Sequence, residues 1–529
     1  MTHTQKWIGY RWLAEAYGVE PVQPFRIDSQ IAGTRATERM DGYVHESYPS
    51  ALQPADTLQG HLTFALKREG VHLEFLARLF DAVPAGELEQ WIASEPSGQY
   101  ARRAGFLYEW LTGRRLSFPG VSVGNYVDAL DEDLYLTAGS PANNPRWRVR
   151  DNLPGTPDYC PLVFRTDKVK SAERYNVAAQ LRDLEAEYGE DLLLRSAVWL
   201  TVKESQASFA IEHEDRQVDR IKRFAAVMER RCGEHDSPLD EASITALQTE
   251  ILGAGHKTVR NFGLRKSPIF VGEDSPFAGP MVHYVAPHWD DCPAMLAGLR
   301  AFAERTAGKA PLLRAAVLSF GFVYIHPMAD GNGRISRFLI NDVLRRDGAL
   351  PAPFILPVSA TIASTSANRR SYDQVLELFS KPFMRRYQDQ CRFGQELEAE
   401  DGIRFNLHFA AYADAAKAWR YPDLTEHTEY LAHVVDMTLD QEMRKEARYL
   451  RSARAAREAI KEIVEGPDSD IDRIIRSVRS TGGQISNKLR KDFPFLDESG
   501  VAQEIVGIVH IAFDGDDLED ADTDRPKLG

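Results

Sequence analysis

A twelve-residue polar stretch, HPMADGNGRISR (His326–Arg337), lies between two apolar helical segments and limits what this chain can fold into. The preceding helix must end near His326, because Pro327 disfavours helical backbone at the residue before it and has no N–H of its own. The Gly-Asn-Gly sequence at 331–333 tolerates positive φ, so successive backbone N–H groups can point into one concavity, an anion-binding nest. The helical pattern resumes at about Arg334, which predicts this nest at the amino terminus of a helix.

The charged side chains of this stretch indicate phosphate chemistry. Arg334 and Arg337 are spaced i, i+3 on one helix face, and two planar guanidinium groups beside a nest suit a polyphosphate chain. Asp330 is placed to hold Mg²⁺ against phosphate oxygens. His326 can accept a proton near neutral pH and is the candidate general base. A chance turn with a capping histidine and solvated arginines is the alternative, which the joint occurrence of these groups disfavours.

The composition indicates the class of protein and limits the kinds of partner that we expect. The chain has 529 residues, 43% hydrophobic and 27% charged, which is typical of soluble globular proteins. Its formal net charge of −14 disfavours general binding to nucleic acid or anionic membranes, so phosphate binding should be local. The four cysteines are scattered, and neither a signal peptide nor a membrane-spanning stretch is apparent. We therefore expect a reduced, cytoplasmic protein without nucleic-acid or membrane partners.

The chain divides into five predicted sections and is mainly α. Residues 1–165 mix helical patterns with Pro-, Gly- and Asn-rich loops and carry no assignable motif, so this N-terminal domain has no predicted role. Residues 166–234 end in one long charged amphipathic helix over about 207–233. Residues 235–400 form the predicted core, residues 401–515 a C-terminal helical domain, and residues 516–529 an acidic disordered tail.

A β-hairpin is predicted inside the otherwise helical core. Two short β-like runs, Ile269–Val271 and Val282–Val285, flank a loop that contains glycine and proline. Pro268 and Pro280 argue against a central strand, so the hairpin should lie at an exposed edge.

The polar stretch resembles the signature of the Fic family, written H-x-F-x-[DE]-G-N-G-R-x-x-R. Every chemically active position matches, and the departure is Met328 where phenylalanine is usual. Methionine is a flexible apolar substitute, so we expect the pocket to be retained. The resemblance spans about 235–400 and implies a helical Fic core whose β-hairpin corresponds to the family's flap.

The resemblance implies a protein adenylyltransferase that moves AMP from ATP to a Tyr, Thr or Ser hydroxyl of a target protein. By position, His326 would deprotonate the hydroxyl, and Asp330 would hold Mg²⁺ on the α- and β-phosphates. The flap would hold a segment of the target by main-chain pairing. ATP, Mg²⁺ and a protein target are therefore the expected ligands and partner.

The remaining matched positions would bind the nucleotide. Asn332 and the backbone of Gly331 and Gly333 would form the anion hole that stabilises developing charge. Arg334 would bind the β- and γ-phosphates, and Arg337 the γ-phosphate.

A second, shorter resemblance lies upstream, in the sequence SFAIEHE. Ser208 and Glu212 match the inhibitory helix motif [ST]-x-x-x-E-[GN] of self-restrained Fic proteins, while His213 departs from it. The resemblance implies that Glu212 pairs with Arg337 and prevents a productive ATP geometry. The alternative is an ordinary glutamate on a charged helix face, beside the acidic residues at 214–215.

Several alternatives stay open at the level of sequence. The same site could transfer another nucleotide-derived group or use UTP or GTP, or it could hydrolyse AMP from a modified protein with Glu212 positioning water. The chain could also be a regulatory or binding protein with a latent Fic site. A basic stripe at helical spacing over Arg444–Lys461 is better explained as a solvated or acid-paired face than as a nucleic-acid site. The target, its modified residue, the trigger and a homo-oligomeric state are left undecided.

Overall fold

The computed structural model describes residues 6–40, 43–214, 216–234, 237–253, 262–275 and 279–513. The chain divides into two compact units. The first consists of Met1–Tyr175, Ser205–Pro351 and Val358–Val434, and the second of Asn176–Glu204, Ala352–Pro357 and Val435–Gly529. The section boundaries inferred from the sequence stay a prediction, and the tail predicted at 516–529 lies outside the described residues.

Helices make up most of the chain, so the predicted mainly α class is confirmed. The helices are α1 (Tyr10–Tyr17), α2 (Leu58–Arg68), α3 (Leu73–Ala82), α4 (Ala85–Ser94), α5 (Gln99–Thr112), α6 (Asp167–Arg174), α7 (Val177–Tyr188), α8 (Glu190–Ile211), α9 (Val218–Arg231), α10 (Glu241–Leu252), α11 (Cys292–Arg305), α12 (Pro311–Ile325), α13 (Asn332–Arg346), α14 (Val358–Ala363), α15 (Ser366–Tyr387), α16 (Tyr412–Arg420), α17 (Thr425–Met437), α18 (Arg444–Lys461), α19 (Asp468–Ser480), α20 (Asn487–Asp492) and α21 (Val501–Ala512). The strands are β1 (Lys6–Ile8), β2 (Ile27–Ile31), β3 (Ala36–Met40), β4 (Tyr43–Tyr48), β5 (Val127–Asp128), β6 (Ala142–Asn144), β7 (Val149–Asp151), β8 (Phe270–Ser275), β9 (Gly279–Val285), β10 (Cys391–Glu398) and β11 (Arg404–Phe409).

A four-stranded sheet near the amino terminus corrects the prediction of only helices and loops for residues 1–165. Its strand order is β1-β2-β4-β3, with β2 and β4 parallel and the other neighbours antiparallel. The sequence pattern missed the sheet because β3 is exposed along its whole length and so has no apolar face to recognise. The core of this part contains an aromatic cluster, in which Tyr10 stacks on Phe25 and both rings contact Phe75 edge-on.

The helices that flank the polar stretch, α12 and α13, pack against each other in the first unit. α12 is buried along almost its entire length, because nearly every residue from Leu312 to Ile325 is apolar. The predicted β-hairpin is confirmed as the antiparallel pair β8–β9, which packs against α15 and contains Pro280 within β9. Among the described residues this hairpin is a sheet of its own, as expected for an edge.

Two further predictions of continuous helix are wrong. The segment 207–233 is not one helix: α8 ends at Ile211 and α9 begins at Val218, because His213 adopts a left-handed φ of 58°. The section 401–515 is not wholly helical, since β11 pairs antiparallel with β10. The residues of β10 are almost all exposed, so apolar periodicity gave little sign of this second hairpin.

In the second unit, the helices α18, α19 and α21 surround a core of isoleucine, valine and leucine side chains. The basic stripe on α18 is paired with acids, as expected: Arg457 bonds to Asp472 at 2.7 Å, Lys461 pairs with Asp468, and Arg454 pairs with Glu458 at 2.9 Å. Within the ranges that the structure describes, no helix combines the length and hydrophobicity that crossing a bilayer requires.

Candidate nucleotide-binding site

The general-base candidate, His326, lies at the carboxyl end of α12 in the left-handed region, with φ 49°. Its backbone N–H donates to the carbonyl of Phe322 at 2.9 Å, and its Nδ1 lies 3.1 Å from the carbonyl oxygen of Val323. A carbonyl oxygen only accepts hydrogen bonds, so Nδ1 carries the proton and Nε2 holds the lone pair. The local fold therefore fixes the tautomer that leaves Nε2 able to accept a proton.

The protonation state of His326 is set by its surroundings. Burial, reinforced by the positive charge of Arg265, lowers the pKa of His326 to about 4. The imidazole is consequently neutral at physiological pH, which is the state that a general base requires.

The turn that follows is closed by Asn332. Its Oδ1 accepts from the N–H of Met328 at 3.0 Å, and its Nδ2 donates to the carbonyl of Met328 at 2.7 Å. Met328 is fully buried, in keeping with its expected packing role. The side chain of Asn332 therefore braces the turn, and the groups that can receive an anion are backbone N–H groups.

The amino terminus of α13 supplies these N–H groups. Gly331 precedes the helix with φ 91°, a conformation that glycine adopts without strain. The N–H groups of Asn332 and Gly333 begin the helix and so have no carbonyl partner inside it. Together with the helix dipole, these free N–H groups suit the turn to binding a phosphate.

Asp330 lies at the edge of the turn with 28% of its side chain exposed. Its Oδ1 accepts from the N–H of Gly331 at 2.6 Å and from Arg334 at 2.6 Å. Across the described residues, no group of three or more His, Cys, Asp or Glu side chains is arranged to hold a metal ion. A partly exposed carboxylate beside a phosphate site nevertheless suits Mg²⁺, which commonly takes one or two carboxylates together with waters and substrate phosphates.

Arg337 is held by the end of α8. Only 2% of its side chain is exposed. Its Nε donates to Oγ of Ser208 at 2.7 Å, and one terminal nitrogen donates to Oε1 of Glu212 at 2.6 Å. Burial opposes ionisation of Glu212, but Arg337 and then Arg334 hold the pKa of Glu212 below its ordinary value.

Arg334 is held by a residue that sequence analysis did not assign to the site. One of its terminal nitrogens bonds to Oε2 of Glu214 at 2.5 Å, and the guanidinium lies over the ring of Phe209, 4.9 Å from its centroid. Only 3% of the Arg334 side chain is exposed. Both arginines of the polar stretch are thus bound by the segment from Ser208 to Glu214, which we call the 208–214 cap.

The 208–214 cap is a helix-ending turn built on His213. The N–H of Glu214 donates to the carbonyl of Phe209 at 2.9 Å, and the N–H of His213 donates to that of Ala210 at 3.0 Å. These two bonds form the Schellman pattern of helix ends, in which the first residue beyond the helix cap is left-handed. Here that residue is His213, with φ 58°. The departure from Gly or Asn thus falls at a position where backbone conformation matters most.

Gly333 allows the cap to approach. A Cβ atom on Gly333 would lie 2.1 Å from Oε1 of Glu212, so any larger residue would push this carboxylate away. The glycine therefore serves the contact between Glu212 and Arg337 as well as the nest.

The structure brings together all the residues predicted for the site: His326, Asp330, Gly331, Asn332, Gly333, Arg334, Arg337, Ser208 and Glu212. Glu214 was missed because the inhibitory motif stops at position 213. The signal that could have found it is the last position of the motif, where Gly or Asn is usual because both adopt positive φ. Positive φ there predicts a reversal of the chain, which places the next acid, Glu214, near the same two arginines.

Comparison with known proteins agrees with this geometry. A sequence profile of the Fic/DOC family matches residues 238–344, a range that includes the hairpin and the whole polar stretch. The chain carries a domain of the Fic family. Outside this Fic domain the profile makes no match, so the flanking parts of the chain have no family assignment from it.

Curated relatives match this chain over short segments. The protein adenylyltransferase fic-1 of Caenorhabditis briggsae is 32% identical over 124 residues, which are 23% of this chain and 22% of the relative. The protein adenylyltransferase fic-1 of Caenorhabditis elegans is 44% identical over 55 residues, 10% of each chain. The chain therefore aligns with less than a quarter of the length of either relative.

Two solved structures are also similar. A Fic family protein from Desulfovibrio desulfuricans G20 has 20% identity and a TM-score of 0.35, covering 65% of this chain and 92% of that one. A Fic domain containing signaling protein from Bacteroides thetaiotaomicron VPI-5482 has 18% identity and a TM-score of 0.29, covering 54% and 95%.

Proposed function

We propose that the protein is an adenylyltransferase that transfers AMP from ATP to a Tyr, Thr or Ser hydroxyl of a target protein. The observation that carries the proposal is the single turn at 326–337, where a neutral histidine, a carboxylate, helix-terminal N–H groups and two arginines meet. The similarity of part of the chain to two protein adenylyltransferases supports the same activity.

The reaction follows from the roles of these groups. Nε2 of His326 takes the proton of the target hydroxyl as its oxygen attacks the α-phosphorus. A new oxygen–phosphorus bond forms, the α–β phosphoanhydride bond breaks, and pyrophosphate leaves. The N–H groups at the start of α13 stabilise charge on the α-phosphate, and Arg334 and Arg337 bind the β- and γ-phosphates. Asp330 is the residue that would hold Mg²⁺, which supplies charge neutralisation on the phosphate oxygens.

The described conformation is a restrained one in this proposal. Arg337 donates to Glu212 and Ser208, and Arg334 donates to Glu214 and Asp330, so neither guanidinium can bind phosphate until these contacts are exchanged. Glu212 and Glu214 retain 35% and 27% exposure of their side chains, so solvent or a partner can reach both. We propose that the 208–214 cap restrains the enzyme through both arginines.

The test is a transfer assay with α-labelled ATP and Mg²⁺. Wild type, Glu212→Gly and the double variant Glu212→Gly/His326→Ala are compared, with label on the protein itself or on lysate proteins as the readout. We expect strong labelling with Glu212→Gly, weak labelling with wild type and none when His326→Ala is combined with Glu212→Gly. Labelling that persists without His326 would contradict the mechanism. Equal labelling by wild type and Glu212→Gly would contradict the restraint.

Two other activities use the same site and are tested in the same assay. Labelled GTP and UTP in parallel reactions show whether ATP is the preferred donor. Removal of AMP from a labelled target is the second candidate, because Glu212 is held in its anionic form in the site and could position water. In that case Glu212→Gly would slow the release of label from the target.

A further inference from the structure

Arg265 is a buried arginine that lies next to the candidate base and outside the Fic signature. Its side chain is nearly inaccessible, with 1% of the residue exposed. Its Nε donates to the carbonyl of His326 at 2.7 Å, and its two terminal nitrogens donate to the carbonyls of Ser267 at 2.8 Å and Pro287 at 2.5 Å. One guanidinium therefore satisfies three backbone oxygens.

These oxygens belong to segments whose relative positions matter for the proposed reaction. His326 carries the base, Ser267 lies just before β8, and Pro287 lies just after β9. The backbone of Arg265 adds a bond from its N–H to the carbonyl of Pro327 at 2.9 Å. Both ends of the flap hairpin and the turn after α12 are thus joined at one side chain.

His326 needs such support. Its left-handed φ of 49° is uncommon for a residue with a side chain, and such conformations persist only when the surroundings hold them. Its carbonyl lies at the end of α12 and so lacks the usual helical partner, which Arg265 replaces. A lysine could not reproduce three bonds from one planar group.

We propose that Arg265 is a positioning residue, which fixes His326 and both ends of the β8–β9 hairpin in one geometry so that the base meets the target hydroxyl. This inference rests on the proposed transferase activity and on no contact with the nucleotide. Arg265 also affects the candidate base, His326, through its positive charge. Among the described residues, Arg265 lowers the pKa of His326 through its positive charge, and the carboxylates of Glu212 and Asp330 raise it.

The test uses the full chain in the Glu212→Gly background, with Arg265→Gln and Arg265→Lys. We expect Arg265→Gln to lower kcat for AMP transfer about 100-fold, the loss typical of a small misplacement of reacting groups, with KM for ATP changed less than threefold. Arg102→Lys is the matched control, because Arg102 is also buried and donates to a backbone carbonyl, that of Asn125 at 2.7 Å. The control should leave kcat within twofold.

The pH profile separates a positioning role from a loss of fold. Arg265→Gln removes a positive charge, so the acid limb of kcat should move to higher pH. Arg265→Lys keeps the charge but not the three bonds, so it should lower kcat without moving that limb. An Arg265→Gln variant with unchanged kcat, or with a loss no larger than that of Arg102→Lys, would overturn the proposal.

A second readout does not depend on catalysis. NMR titration of ¹³C-labelled histidine, with the His326 signal assigned from His326→Ala, should show a higher pKa of His326 in Arg265→Gln than in Arg265→Lys. If the Glu212→Gly background transfers no AMP, the proposed function fails, and the titration still decides whether Arg265 governs His326. An identical His326 titration in both variants would overturn the inference.

Discussion

Replacing Glu214 by glutamine should tighten ATP binding, because ATP bound as proposed would have to displace this carboxylate from Arg334. The contact is short, 2.5 Å between Oε2 of Glu214 and the guanidinium, and Arg334 is 3% exposed. Glutamine keeps the size of the side chain but removes the charge. The effect should appear most clearly in a Glu212→Gly background, where Arg337 no longer pairs with Glu212.

The size of the effect follows from the geometry. A hydrogen bond to a charged group contributes about 1.5 to 3 kcal/mol when it is well buried. Glu214 is 27% exposed, so solvent screening reduces the contribution, and Arg334 keeps its bond to Asp330 in the variant. We therefore take the contribution of the contact between Glu214 and Arg334 as about 1 to 2 kcal/mol. At about 1.4 kcal/mol for each tenfold change, Kd for ATP should fall by a factor of about 5 to 30.

The assay is isothermal titration calorimetry with a non-hydrolysable ATP analogue and Mg²⁺. Glu212→Gly and Glu212→Gly/Glu214→Gln are compared with Glu250→Gln in the same background. Glu250 is a matched control because it pairs with Arg230 and Arg231, at 2.6 Å each, outside the 326–337 turn. If the Glu214 variant binds within twofold of its parent, Arg334 is already available to phosphate and the reasoning is refuted.

Two further outcomes are expected from the same region. His213→Gly should increase the free energy of unfolding by about 1 kcal/mol, measured with urea, because glycine adopts the left-handed φ of 58° without strain; a decrease would show that the imidazole itself holds the cap. Burial lowers the pKa of His326 to about 4 in the folded protein, so below pH 6.5 the unfolded chain binds a proton at this histidine that the folded chain does not. The free energy of unfolding should therefore fall as the pH drops from 6.5 towards 4. The His326→Gln variant should lose about 3 kcal/mol less of its free energy of unfolding than wild type over this pH range. The same pH dependence of urea unfolding in both proteins would contradict the low pKa of His326.

Much of the site could be predicted from the sequence because its chemistry is local. His326, Asp330 and the two arginines lie within twelve residues, and Pro327 and the glycine pair dictate where one helix ends and the next begins. The β8–β9 hairpin was also predictable, since β-like runs and a Gly–Pro loop stand out in a helical region.

The parts that escaped prediction depend on tertiary packing. The bond between Glu214 and Arg334 joins residues 120 positions apart, and a single sequence cannot show which acid meets which arginine. Arg265 was missed because its partners are backbone carbonyls, which leave no pattern of complementary side chains. Strand β3 of the sheet β1-β2-β4-β3 and strand β10 of the hairpin β10–β11 are exposed, so these two strands lack the alternation that identifies a half-buried strand.

The 208–214 cap has a consequence for how the proposed restraint would be lost. His213 stands between its two carboxylates, and the left-handed backbone there closes the turn that brings Glu214 to Arg334. A rotation of the backbone at His213 would move Glu214 while Glu212 stays with the end of α8, so each salt bridge can break without the other. Release should therefore proceed in two steps, in which a ligand frees either Arg334 from Glu214 or Arg337 from Glu212 first.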